Sequence, residues 1–254
     1  MSISDLLGFF PPPFELTIVI GVVFVGGFLR GFTGFGAALI IVPVLAIIFT
    51  PQMAVVMHLL MEIPGVIQLL PSAARHCDKK AVLPMLVAVL AGVPLGAFLL
   101  STIDERILRI TISAFVLAAV WLLASDWRYR GVIRWPLMAG NGFLGGFIQG
   151  FAGMGGPPIV TILLSRHDSV TVSRANIIVA MNTLILVALP NQWANGLVTM
   201  KVLILGGLAG PLYVLGTYTG SRFFNAGGER FFRKVALIML GAIAIITLLT
   251  SVGL

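Results

Sequence analysis

Charged residues are scarce in this sequence. Asp, Glu, Lys and Arg make up 10% of its 254 residues, where a soluble domain carries ~25%, so there is too little charge to clothe a water-facing surface. Cysteine is nearly absent, and the single Cys77 excludes a disulfide within the chain. With His76 and Asp78 it forms three adjacent residues in a basic loop, a poor cage for an ion, and no metal site is expected. The sequence contains no HExxH, no GxSxG and no Cys/His cluster, which argues against an enzyme and calls for no cofactor. The stretch Met1 to Pro13 has no Lys or Arg and ends in Pro11-Pro12-Pro13, so it does not read as a cleavable signal peptide. Acidic residues are the scarcer sign, 9 against 16 basic ones, for a net charge of +7. In a soluble protein that balance would suggest nucleic acid. Here the basic residues sit in short loops between apolar blocks, as in membrane proteins, and no nucleic-acid partner is expected.

Apolar residues fill the chain instead, at 59% of positions with a mean hydropathy of +1.08. They fall in blocks at about 14–30, 36–49, 51–72, 81–101, 105–124, 135–150, 154–165, 169–190, 198–222 and 229–252, most of them near the ~20 residues a membrane helix needs. Backbone polar groups cannot stay unpaired in lipid, so such blocks must be helices or a closed barrel. A barrel needs alternation, and Ala236 to Leu249 does not alternate. The first two blocks are divided only by Gly31, Gly34 and Gly36. Pro43, Pro64, Pro94 and Pro211 are expected to kink their helices, while Pro157-Pro158 suits the first turn of helix 7. Trp121, Trp127, Trp135, Trp193 and Tyr129 fall mostly at segment ends and read as aromatic anchors.

The chain repeats itself. Residues 26–36 read GGFLRGFTGFG and residues 145–155 read GGFIQGFAGMG, with seven of eleven positions identical. Further on, Met61-Glu62 falls opposite Met181-Asn182, Gly96 opposite Gly220, and Glu105-Arg106 opposite Glu229-Arg230. The most polar stretch, Ser125 to Arg134, separates the copies: 1–124 is a first membrane repeat, 125–134 a cytoplasmic linker and 135–254 a second repeat. About five segments per repeat is an odd number, so the copies should be inverted. Counting charges by alternation puts Arg75, Lys79, Lys80, Arg128, Arg130, Arg134, Arg166, Arg174, Arg222, Arg230, Arg233 and Lys234 on one side, and Arg106, Arg109 and Lys201 on the other. Twelve against three makes the first side cytoplasmic and leaves both termini outside the cytoplasm. The expected fold is an all-α integral membrane protein of two inverted repeats, with about eight to ten membrane segments, helices 1/2 and 6/7 being broken or re-entrant at the glycine motifs.

The duplicated motif is the strongest functional signal. Glycine lets a ligand reach backbone N–H groups, and helices 2 and 7 start just after it, so their free N–H groups and positive dipole ends face the break. The expected anion site therefore lies near the midplane, between Arg30, Gly31, Thr33, Gly34, Phe35 and Gly36 of one half and Gln149, Gly150, Gly153, Met154, Gly155 and Gly156 of the other. The competing reading is that these glycines let helices pack closely. Arg30 would neutralise the anion or else snorkel to the surface, Gln149 and Thr33 would donate hydrogen bonds, and Phe35 and Met154 would meet an organic tail. Glu62 follows His58 by four residues on one helix face, a pair suited to carrying a proton or to capping a buried polar contact, and its repeat partner Asn182 is neutral. Arg109 and Arg233 are repeat-related and read as interfacial.

The GFxGxG break, its repeat and the loop pattern resemble the TauE/SafE family of sulfite exporters, also called the toluene-sulfonate uptake permease family, over about 14–252. That resemblance implies a secondary transporter of sulfur-containing anions such as sulfite, thiosulfate or organosulfonates, moving in either direction, in a bacterial cytoplasmic membrane. Composition and spacing alone say only "small anion", and leave a passive anion channel or a small-carboxylate transporter as alternatives. The expected partners are the anion, the bilayer and protons as coupling ion; a homo-oligomer is compatible with the sequence.

Overall fold

The computed structural model describes residues 8–33, 36–125 and 129–224. The segment expected at 229–252, with Glu229, Arg230, Arg233 and Lys234, lies outside them, as do Gly34, Phe35 and Trp127. Among the described residues 85% are helical and there is no strand. In chain order the helices are α1 (Pro13–Thr33), α2 (Ala37–Ile48), α3 (Pro51–His76), α4 (Lys79–Thr102), α5 (Glu105–Ala124), α6 (Trp135–Ala152), α7 (Gly156–Leu164), α8 (Val170–Ala194) and α9 (Met200–Phe224). Six of them, α1, α3, α4, α5, α8 and α9, are long and apolar enough to cross a membrane.

The described segments match the expected ones to within a few residues. α3 continues through Pro71 to His76, and α8 through Pro190 to Ala194. An apolar surrounding offers the backbone no water to turn to, so the helix persists despite one missing N–H. Asp78 caps α4 by accepting from the Ala81 N–H at 3.2 Å, and Ser169 caps α8 by accepting from Val172 at 3.4 Å.

The helices form two compact units that do not follow chain order. Among the described residues, unit 1 comprises those within 8–61, 104–117 and 197–224, and unit 2 those within 62–103 and 118–196. In unit 1, α1 packs along α9. Successive glycines set the register: a Cβ on Gly27 would strike the Tyr213 carbonyl and one on Gly31 the Thr217 carbonyl, while Gly216 and Gly220 in return face the carbonyls of Phe24 and Phe28. Contacts that advance together on both helices mean that α1 and α9 run parallel. In unit 2 the same device pairs α4 with α6: Gly92 and Gly96 face the carbonyls of Phe143 and Phe147, and Gly142 and Gly150 face those of Met85 and Val93. Lipid supplies no hydrophobic force between helices, so association rests on this close backbone approach. Even the rings flanking the glycines correspond: Phe28 stacks on Phe32 at 6.4 Å, and Phe147 on Phe151 at 6.0 Å.

Each first helix then turns back. A Cβ on Gly26 would meet Ile41 of α2, and one on Gly145 would meet Ile159 of α7, so α1–α2 and α6–α7 are helical hairpins with a glycine motif at each tip. α2 has 12 residues and α7 has 9, roughly 18 and 14 Å of helix, short of the ~30 Å hydrocarbon thickness. α2 is apolar all round and buried from Ala37 to Pro43, which marks it as a core helix. α8 packs on α4 in unit 2 and also touches α6 and α7. Outward, Trp121, Trp135 and Trp193 are exposed at helix ends, where aromatic anchors belong.

Candidate functional site

The two hairpin tips carry most of the residues that the sequence singles out, one tip in each unit. Gly31 and Gly150 are among the most tightly packed of them. Both lie against backbone of the neighbouring long helix, Gly31 at Thr217 and Gly150 at Val93 and Ala97, so their missing side chains serve helix packing. In unit 2 the same contacts set Gly150 beside Ala97, one turn and a half from the end of α4, and in unit 1 they set Gly31 beside Ser221 of α9.

In unit 1, Arg30 lies in the last turn of α1 and Thr33 ends it. Gly36 then takes φ 94, a left-handed conformation that suits glycine, and starts α2. The first turn of α2 runs Gly36-Ala37-Ala38, every residue of which carries an N–H. At its other end α2 meets cations. The Arg109 Nη2 donates to the Phe49 carbonyl at 3.3 Å, and the Lys201 ammonium lies 5.9 Å from the Phe49 ring centroid. Positive charge at the C-terminal end of α2 complements its dipole, so the interfacial reading of Arg109 gains a specific role.

The tip of unit 2 is built differently. Gly153 adopts φ 69 and closes α6 by donating to the Gln149 carbonyl at 2.9 Å. Gln149 is buried, and its Oε1 accepts from the Gly155 N–H at 2.8 Å. A donor role toward an anion would rest on its Nε2 alone. Gly156 opens α7, but Pro157 and Pro158 follow and bring no N–H. The expected row of free donors is thus cut short: one N–H is held by Gln149 and two do not exist. Gln192, fully buried on α8, donates to the Gly150 carbonyl at 2.7 Å, and Asn141 donates to the Pro158 carbonyl at 3.1 Å. Met154, expected to meet an organic tail, is 1% exposed in the core of the unit.

His58 and Glu62 are both buried, at 4% and 5% exposure. The His58 ring lies edge-on to Tyr213, with centroids 6.3 Å apart. Asn182 is buried at 1%.

One polar cluster escaped sequence reasoning. Arg166 donates to Asp78 at 2.9 Å and to Asp168 at 2.7 and 3.1 Å. The fully buried Asn176 donates to Asp168 at 3.2 Å and accepts from the Asp78 N–H at 2.9 Å. These residues tie the start of α4 to the loop between α7 and α8. The hydrogen bond to Asp168 is the main cause that raises Arg166 above its ordinary pKa. A raised arginine contributes below its unfolded pKa and is lost only as pH passes its folded one, so Arg166 keeps its charge throughout any working range. Eighty-eight residues separate Asp78 from Arg166, and no local spacing signals such a pair. Among the described residues, no group of three or more His, Cys, Asp or Glu could hold a metal ion.

Six helices of spanning length, two hairpins with short buried arms and glycine-packed helix pairs are the features of a multi-pass membrane protein. The sequence matches the family "Sulfite exporter TauE/SafE" over residues 19–247, and the chain belongs to that family of transporters. No curated protein and no solved structure matches the chain.

Proposed function

We propose that the protein is a secondary transporter of a small sulfur-containing oxyanion, sulfite, thiosulfate or an organosulfonate, driven by protons. The observation that carries this reading is the tip of the α1–α2 hairpin. There a left-handed Gly36 opens a buried helix whose first turn carries N–H groups, and Arg30 lies in the last turn of the preceding helix. Donors on a helix N-terminus with a nearby guanidinium suit a multi-oxygen anion. The cations at Phe49 reinforce the same helix from its far end. The tip of unit 2, with its Pro-Pro turn and its Gln149 brace, carries fewer free donors. His58 and Glu62, ionisable groups inside an apolar helix, fit a proton path. The inverted arrangement of the two repeats, with both termini outside, belongs to this proposal.

The test is uptake into liposomes under an imposed pH gradient, using sulfite, sulfate, thiosulfate, sulfonates and carboxylates. Uptake of the sulfur oxyanions that requires the gradient, and that Glu62→Gln uncouples without abolishing binding, is expected. Flux indifferent to pH would make the protein a channel, and preference for carboxylates would overturn the substrate class.

A further inference from the structure

We infer that Asn182 is a donor to the transported oxyanion, on a helix separate from the glycine motifs. The inference rests on the transporter reading above. Four carboxamides are buried in unit 2: Gln149, Asn176, Asn182 and Gln192. Three of them hold other parts of the unit in place. Gln149 accepts from Gly155, Asn176 joins Asp78 to Asp168, and Gln192 donates to Gly150. Asn182 is the exception. It is 1% exposed, and its Nδ2 finds no acceptor among the described residues. A buried carbonyl oxygen left short of a donor is a mild defect. An NH₂ group with both hydrogens unused is a severe one, because it loses its water and gains nothing.

Its position gives the defect a purpose. Asn182 is 12 residues into the 25-residue α8, so it lies at the centre of a span, where a polar group is most costly and is by default functional. α8 is secured near both ends, by the Asp168–Asn176 bond and by Gln192, so its middle is held in register without help from Asn182. The group offers donors and carries no charge of either sign, which fits a ligand that brings its own negative charge and several acceptor oxygens. The repeat places Glu62 at the corresponding position of α3. A carboxylate there suits a proton but would repel an oxyanion, and the amide has nearly the same shape without the charge.

The experiment measures sulfite and thiosulfate binding, together with thermal melting, on purified wild type, Asn182→Leu and Asn182→Asp. Loss of one hydrogen bond to a charged ligand should weaken binding by about ten- to a hundredfold. Because the Asn182 Nδ2 has no hydrogen-bond partner among the described residues, the melting temperature should hold or rise in Asn182→Leu. Unchanged affinity in that variant overturns the inference and leaves the transporter reading intact. A fall in melting temperature that accompanies the loss of binding in both variants assigns Asn182 a structural role and also overturns it. Should Asn182→Leu not insert, Asn182→Asp decides alone: lost binding at unchanged melting temperature supports the inference, and retained binding overturns it. If wild type itself binds none of these anions, the transporter reading fails and the inference fails with it.

Discussion

Gln149 shows how a single side chain can brace a turn with its oxygen while its amide remains a donor. Its oxygen takes the Gly155 N–H, an amide that would otherwise be buried at the hairpin tip without a partner. Gln149→Leu removes the acceptor and keeps the bulk. It should lower stability by about 1–3 kcal/mol, the cost of an unsatisfied buried donor, which a thermal melt in detergent would register. A melting temperature equal to wild type would mean that Gly155 finds another acceptor. Sequence reasoning located Gln149 through the repeat but could not tell donor from acceptor, because a carboxamide is both and only the turn geometry chooses. Arg166 was harder still, since its partners Asp78 and Asn176 lie on other elements with no periodic relation to it.

At the scale of elements, glycine carries two meanings that composition cannot separate. Gly31 and Gly150 are pressed against neighbouring backbone, whereas nothing lies within 4 Å of a Cβ built on Gly21 or Gly207. Gly31→Val and Gly150→Val should each push a helix pair apart and cost roughly 1–3 kcal/mol or more from overpacking. Gly21→Ala and Gly207→Ala should melt like wild type. Equal stability across all four variants would remove packing as the reason for the first pair. Span positions were legible because hydropathy reports burial in lipid directly. That helices 2 and 7 are short returning arms was legible only as one of two options, since the deciding contacts, Gly26 with Ile41 and Gly145 with Ile159, join residues across a turn.

For the whole molecule the outstanding question is orientation. On the charge count, both termini are expected outside the cytoplasm. Arg109 and Lys201, both counted on the sparsely charged side, gather at one helix end within unit 1. Reporter fusions after Leu254 and within the Ser125–Arg134 linker should report opposite sides, the linker being cytoplasmic. Finding both in the cytoplasm would end the inverted-repeat reading.

The glycine seams also have a consequence for biogenesis. α1 finds its partner in α9, and α4 finds its partner in α6, so each seam joins an early helix to one translated later. A nascent first half reaches the bilayer with both of its grooved faces unfilled and must wait for the second half to close them. Expressed alone, residues 1–130 should therefore be degraded, while the same fragment co-expressed with 131–254 should accumulate and co-purify with it. Stable accumulation of either fragment by itself would show that the grooves can be filled by lipid or by a copy of the same half.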